Sequence, residues 1–282
     1  MPELPEVETV RRGLEAQILD RPSIIEIAIS PFQLRFPLSK KALIQLPSQQ
    51  IHEVRRHGKY LFMVLDKGSL MSHLGMTGQW RSLVQNELEQ SKPKAKNKYL
   101  PAKHDHFALI LSSGKVLVFQ DPRRFGWVEW IAGDLKEFLK DKGRDPILED
   151  IEPRWFCTQL KSRSTAIKTL LLQQNLITGV GNIYASEILF RSNIRPAKLC
   201  KNLKRSDAEK LLRNIRVVLL EAIQAGGSSI RDYRDAEGNQ GGYQKQHQVY
   251  GRENEACLAC GTLIKSQVLT GRATYWCPLC QK

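Results

Sequence analysis

The sequence has no long hydrophobic run: none of its apolar stretches approaches the ~20 residues that cross a bilayer, so no membrane-spanning helix is expected. Nor does it open on a basic segment followed by an apolar core. Met1-Pro2-Glu3-Leu4-Pro5-Glu6 is acidic, which argues against a secretory or organellar signal and for a cytoplasmic protein. No internal repeat is present. Hydrophobic residues at 41% with 19 glycines are the composition of a packed globular chain, not of a disordered or collagen-like one. Its 282 residues are enough for about two domains.

Acidic residues are also in deficit. Against 43 Lys+Arg stand 29 Asp+Glu, a net charge of +14. The excess is lopsided, +4 over residues 1–150 and +10 over residues 151–282. A basic half of this kind suits a polyanion, most often nucleic acid.

Cysteine is sparse, six in all, and four of the six form one pattern. Cys257, Cys260, Cys277 and Cys280 read C-x2-C-x16-C-x2-C. Each pair places two thiolates on one turn, and two such turns close a tetrahedron around Zn²⁺. Disulfides are the competing reading, disfavoured by the absent signal. Four thiolates leave no open position for water, so the expected ion is single and structural. Cys157 and Cys200 stand alone and read as inert thiols.

Along the chain, Leu4, Val7, Val10, Leu14 and Ile18 recur at near-helical spacing and predict a helix within a few residues of the start. From residue 22 to about 130 come short β-rich runs such as Ile24–Ile29, Tyr60–Leu65, Phe107–Leu111, Val116–Phe119 and Trp127–Ile131, the pattern of a sandwich or barrel. Residues 85–103 carry five lysines and read as a solvated loop. The charged stretch 134–153 reads as a linker. Helices follow: Ile167–Leu172, a break at Gly179-Val180-Gly181-Asn182, Ile183–Phe190, and a helix opened by Ser206 and Glu209 as a capping box. The expected fold class is α+β multidomain: a β-rich domain with a leading helix (1–133), linker 134–153, a helical domain (154–245) and a zinc hairpin (246–282).

Chemistry concentrates at the start. Removal of Met1 would leave Pro2 as an N-terminal secondary amine. An α-amino group titrates near 8, so a useful fraction is neutral and nucleophilic at pH 7. Such amines form Schiff bases whose cations draw electrons, and Glu3 stands adjacent as acid or base. Proline and acids also open ordinary helices, and on this motif alone the helix-start reading is favoured. Gly179-Val180-Gly181-Asn182 lacks the third glycine and the preceding strand of a dinucleotide site.

Seven motifs occur in one order: Pro2-Glu3-Leu4-Pro5-Glu6-Val7-Glu8-Thr9, Lys59-Tyr60-Leu61, His73-Leu74-Gly75-Met76, Lys103-His104-Asp105-His106, Asp121-Pro122-Arg123-Arg124-Phe125-Gly126, the stretch Gly179 to Glu187, and the four-cysteine tail. Together they resemble the bacterial formamidopyrimidine-DNA glycosylase family of base-excision repair enzymes, almost end to end. The resemblance implies that Pro2 attacks C1′ of a damaged nucleoside, that Glu3 serves sugar-ring opening and base loss, that Lys59 serves β-elimination and base departure, and that Arg272 serves the δ-elimination end. It implies that Met76, Arg123 and Phe125 fill the space left by the extruded base, with Arg123 facing the orphaned partner. His104, Arg163 and Asn182 fall where the family contacts DNA, Asn182 on a helix–two-turns–helix element. Residues 226–243 correspond to a loop over the lesion. The 85–103 segment departs most from the family by its length and lysine content.

The expected partner is duplex DNA carrying oxidised purines (8-oxoguanine, formamidopyrimidines) or abasic sites, bound by a monomer in the cleft between the β-rich domain, the helical domain and the zinc hairpin. Two rivals stand beside this reading. An endonuclease VIII-like enzyme for oxidised pyrimidines is disfavoured by Pro-Glu-Leu-Pro-Glu and the Arg123/Phe125 pair. A non-catalytic zinc-hairpin DNA-binding protein explains charge and cysteines but not Pro2, Glu3, Lys59 and Arg272 in register.

Overall fold

The computed structural model describes residues 1–31, 34–37, 39, 43–84, 102–228 and 241–282. Most of the lysine-rich 85–103 segment and most of the 226–243 loop therefore lie outside the described residues. The chain forms two compact units, one of Met1–Pro2, Glu6–Lys140 and Ser228–Gly241, the other of Glu3–Pro5, Asp141–Gly227 and Gly242–Lys282.

The first unit holds most of helix α1 (Leu4–Gln17), two antiparallel four-stranded sheets and the short helix α2 (Lys136–Leu139). One sheet has the order β1 (Ile24–Ile29), β6 (Asp105–Leu111), β7 (Lys115–Gln120), β5 (Gln79–Val84). The other has β2 (Ile51–His57), β3 (Tyr60–Leu65), β4 (Gly68–His73), β8 (Trp127–Ala132). Alternation along the strands sends Phe107, Leu109, Leu111, Leu117 and Phe119 from one sheet and Leu61, Met63, Leu65 and Leu70 from the other into one core, joined by Val7, Val10 and Leu14 of α1. The opposite face of β6 and β7 buries Ala108, Ile110, Val116 and Val118 in a second cluster, so β6 is covered on both sides and residues 107–111 of it form a continuous apolar run. Buried Trp80 keeps its indole N–H paired to Ser72 Oγ at 3.0 Å.

In the second unit α3 (Pro153–Lys161), with proline in its first turn, α4 (Ile167–Leu172), α5 (Asn182–Arg191) and α6 (Arg205–Gln224) pack around one apolar cluster. Helix α5 is buried from Ile183 to Phe190, while α6 presents the stripe Ala208, Leu211, Ile215, Val218, Leu219 and Ala222. The start of α6 corrects the expected capping box. The cap is Lys204, whose N–H donates to Asp207 Oδ2 at 3.1 Å, and Glu209 instead pairs with Arg205 at 2.8 Å. Nor is the 134–153 stretch free chain throughout: Asp145 is fully buried and accepts the N–H groups of Ile147 and Leu148, and the N–H of Gly143 pairs with the carbonyl of Gln174. The unit ends in the hairpin β9 (Lys265–Leu269) and β10 (Arg272–Trp276).

Candidate active site

Glu3 is the most tightly specified side chain of the site. It is 3% exposed, and its carboxylate accepts the N–H groups of Gly181 (2.7 Å), Ile183 (2.9 Å) and Tyr184 (3.3 Å). These donors open helix α5 and have no partner inside the helix, so the acid fills the place where a helix start favours an anion. Glycine is required at 181 by space: a Cβ there would lie 2.3 Å from Glu3 Cδ. The turn is braced from within, because Gln174 donates to the Val180 carbonyl at 2.6 Å and accepts the Gly179 N–H at 2.8 Å. Leu4 follows suit, its N–H bonded to the Gly179 carbonyl at 3.0 Å and its side chain in the core of the helical unit.

Lys168 is a residue that pattern reading missed. It sits in α4 amid Ile167, Leu170 and Leu171, fully buried. Its ammonium donates to the Ala273 carbonyl (3.0 Å) and Thr274 Oγ1 (2.7 Å), one and two residues beyond Arg272. Burial lowers its pKa to about 8; the Glu3 charge opposes that fall and the Arg272 charge reinforces it. Asn182 Nδ2 donates to the same Ala273 carbonyl at 3.0 Å. Arg272 itself is exposed, projected by a turn in which Thr270 (φ 52°) and Gly271 (φ 70°) both take the left-handed conformation of tight hairpins. Glu3, Lys168, Asn182 and Arg272 thus belong to one electrostatic neighbourhood of the second unit. Arg163 lies at the end of α3 with its guanidinium on Gln159, apart from that group's hydrogen bonds.

In the first unit Pro2 is buried two residues ahead of α1, and Lys59 is 5% exposed directly before β3. The hairpin that presents Lys59 is tied to α1: Glu8 Oε2 accepts Arg56 Nε at 3.0 Å, and Arg56 Nη1 donates to the Gly58 carbonyl at 3.2 Å. Burial works to raise the Glu8 pKa, but Arg56 and Arg11 outweigh it and hold the carboxyl below its usual value. Across the sheet, His73 pairs in register with Tyr60 and Trp127 and stacks on Trp127 at 4.7 Å. Its Nδ1 accepts the Gly75 N–H at 3.0 Å, which leaves the ring proton on Nε2. Burial, then the Lys59 charge, lowers its pKa to about 4, so the ring is neutral at pH 7.

Met76 (37% exposed) and Phe125 (36%) stand on two loops of this unit, and the Arg123 guanidinium lies over the Phe125 ring at 5.0 Å. The loops touch backbone to backbone: a Cβ on Gly75, which has φ +59°, would lie 2.4 Å from the Gly126 nitrogen. His104 is half-buried, and its carbonyl accepts the Asp121 N–H at 3.0 Å.

The sulfurs of Cys257, Cys260, Cys277 and Cys280 lie within 4.8 Å of one another, with Cys257–Cys280 at 3.9 Å and Cys260–Cys277 at 3.5 Å. A tetrahedral Zn–S bond of about 2.3 Å sets sulfur–sulfur edges of about 3.8 Å, so the donor set fits one zinc ion with all four positions filled. Cys200 is buried, its thiol pushed up to about 11 by that burial, and plays no part in this cluster.

The chain matches, in order, the formamidopyrimidine-DNA glycosylase N-terminal domain over residues 1–128, the formamidopyrimidine-DNA glycosylase H2TH domain over 142–234 and the zinc finger found in FPG and IleRS over 254–282. Formamidopyrimidine-DNA glycosylase of Bdellovibrio bacteriovorus is 39% identical over 283 residues, covering 100% of both chains. A Lactococcus lactis FPG mutant in complex with Fapy-dG-containing DNA superposes with a TM-score of 0.87 at 36% identity over 100% of both chains. The MutM (FPG) protein of Thermus thermophilus does so with a TM-score of 0.83 at 39% identity, over 99% of this chain and 98% of that one. Likeness of this extent, joined to the four-sulfur zinc site and to the order of the motifs, places the chain in the formamidopyrimidine-DNA glycosylase family.

Proposed function

We propose that this chain is a bifunctional DNA glycosylase and abasic-site lyase that removes oxidised purines from duplex DNA through a Schiff base on Pro2. The observation that carries the reading is the carboxylate of Glu3, buried on three backbone N–H groups beside the one residue that becomes a secondary amine when Met1 is removed. Solved relatives bound to Fapy-dG, to carbocyclic 8-oxo-G and to an abasic site support the substrate class. Among the described residues no helix is long and apolar enough to cross a membrane, and the reading is of a monomer acting on cytoplasmic DNA.

The Pro2 lone pair attacks C1′, the C1′–N bond breaks, and its electron pair leaves with the base, which takes up a proton. Glu3 takes up the proton that the Pro2 nitrogen releases on bonding to C1′ and passes it to O4′ as the C1′–O4′ bond opens, leaving a Pro2–C1′ iminium. The iminium acidifies C2′; loss of that proton expels the 3′ phosphate, and a second elimination expels the 5′ phosphate. Lys59 serves base departure and the first elimination, and Arg272 faces the phosphate of the second. Met76, Arg123 and Phe125 fill the vacated stack, while His104, Arg163 and Asn182 hold the backbone. The zinc site is structural: it secures the hairpin that presents Arg272 and takes no part in a step. In this division of labour residues 1–133 carry Pro2 and Lys59, residues 154–245 grip DNA, and residues 246–282 supply Arg272.

Borohydride trapping on a duplex with one 8-oxoguanine opposite cytosine tests the reading. A covalent adduct mapped to Pro2 at the mature N-terminus is the expected result. No adduct on that duplex or on an abasic one, from zinc-loaded protein that still binds DNA, would overturn it.

Gly181→Ala probes the seat of the acid. The added methyl must displace Glu3, so excision is expected to fall on the order of a hundredfold, the usual weight of a positioned acid. Single-turnover excision rates read this; an unchanged rate would show that the three-donor seat is dispensable.

A further inference from the structure

The two loops that carry the void-filling side chains are held by one buried carboxylate to which no role has yet been given. Asp121 is fully buried. Its Oδ1 accepts the Thr77 hydroxyl at 2.5 Å and the Arg123 N–H at 3.2 Å, and its Oδ2 accepts the Gly126 N–H at 2.7 Å. Thr77 Oγ1 also accepts the Arg123 N–H at 3.2 Å. The backbone of Asp121 is fixed in turn, its N–H on the His104 carbonyl (3.0 Å) and its carbonyl accepting from His106 Nε2 (2.9 Å) and the Arg124 N–H (3.2 Å). Every bond of the carboxylate therefore ends on a residue next to a void-filling one: Thr77 follows Met76, Gly126 follows Phe125, and Arg123 is bound through its own nitrogen. Arg124, at φ 58°, holds the left-handed turn that lets the chain fold back onto Asp121.

We propose that Asp121 and Thr77 are positioning residues that lock the Met76 loop to the Arg123–Phe125 loop, so that wedging into the stack and reading of the orphaned base occur as one movement. The inference rests on the void-filling role assigned to these three side chains above. A buried carboxylate with three donors is a stiff joint, because each bond is charge-assisted and has no competing water. The Thr77 hydroxyl is the sole link of that carboxylate to the Met76 loop among the described residues. Removing it takes away the hydrogen-bonded link between the loops while their backbone approach at Gly75 and Gly126 and the two backbone donors of Asp121 remain, so the unit keeps its fold.

The test uses full-length, zinc-loaded Thr77→Val and Thr77→Ser, with Arg123→Ala alongside. Substrates are duplexes with 8-oxoguanine opposite cytosine or adenine, and a single-stranded oligonucleotide with one abasic site, which has no stack to enter and no orphaned base to read. Thr77→Val is expected to lose about tenfold in kcat/KM on the cytosine duplex and to narrow the cytosine-to-adenine preference by a similar factor. Cleavage of the single strand should stay within about twofold, and Thr77→Ser should restore both duplex measurements. An equal loss on duplex and single strand would reduce Thr77 to a stabilising residue and overturn the lock, as would full duplex activity with an unchanged preference. Arg123→Ala separates this from the reading beneath it. If Arg123→Ala loses the opposite-base preference and Thr77→Val keeps it, only the lock falls; if Arg123→Ala keeps it, the void-filling role falls and the lock with it.

Discussion

Pro2→Gly is expected to slow covalent trapping on the order of a hundredfold, about 2.7 kcal/mol of barrier, while binding to a duplex with an uncleavable abasic analogue stays within about twofold. The size follows from what glycine retains. Its amino group also titrates near 8 and also forms an imine. The imine of a primary amine, however, carries an N–H and is an electron sink only while protonated, whereas the iminium of proline has no proton to lose and stays charged. Proline also has φ fixed near −65°, so its lone pair is held relative to Glu3, and glycine surrenders that direction. A small residual adduct is thus part of the expectation. Binding should persist because the basic surface and the Arg272 hairpin are untouched, provided both proteins are compared at one salt concentration. Full strand cleavage by Pro2→Gly would show the secondary amine to be dispensable, and an adduct mapped to Lys59 or Lys168 in place of residue 2 would remove the N-terminal amine as the nucleophile.

Loss of zinc should be equally severe and of a different kind. The hairpin module rests on a very small cluster, Phe190, Val249, Cys257, Ile264 and Cys277, two of whose five members are the metal's own ligands. So little apolar burial does not hold a two-stranded hairpin in water. Cys260→Ser, or stripping with a strong chelator, is therefore expected to release β9 and β10 and to weaken DNA binding on the order of a hundredfold, the scale of losing several phosphate contacts together. Trp276, 7% exposed in β10, reports the change as a red-shifted fluorescence component. The strand content of the first unit should persist in circular dichroism, since its core shares no residue with the hairpin. Undiminished binding by metal-free protein would contradict the structural role. Lys168 should feel the loss as well: its ammonium is bonded to Ala273 and Thr274 of β10, and without them it becomes a buried cation lacking these acceptors.

How far the molecule was legible in advance depended on whether a residue's partner lay close by in the chain. Strands buried on both faces, Phe107–Leu111 and Tyr60–Leu65, announce themselves as apolar runs. Strand β2, Ile-His-Glu-Val-Arg-Arg-His, does not, because one of its arginines is buried on Glu8 of a helix 48 residues earlier. The cysteine pattern gave its geometry directly, since each pair is one turn. Lys168 was invisible for the opposite reason: a lysine in an apolar helix face looks like a solvated interruption until its acceptors, 105 and 106 residues away, are seen. The start of α6 was misplaced because Ser206 and Glu209 satisfy the cap pattern as letters, whereas Asp207 reaches back to the Lys204 nitrogen first. Asp121 lay in a recognised motif, yet its neighbours Arg123 and Phe125 drew the functional reading, and the carboxylate that holds their loop through Arg123 and Gly126 did not.

The seat of Glu3 also fixes an order of events during synthesis. Its backbone donors Gly181, Ile183 and Tyr184 begin 178 residues further on, and Leu4 finds its core among helices of the later half. Glu3 and Leu4 are thus set in place only after residues far downstream have been made. On the proposed function, a chain that has shed Met1 carries a reactive amine before the acid beside it has its seat. On the proposed role of Pro2, the nucleophile precedes its acid's seat, which is complete only once Gly181 to Tyr184 have been made.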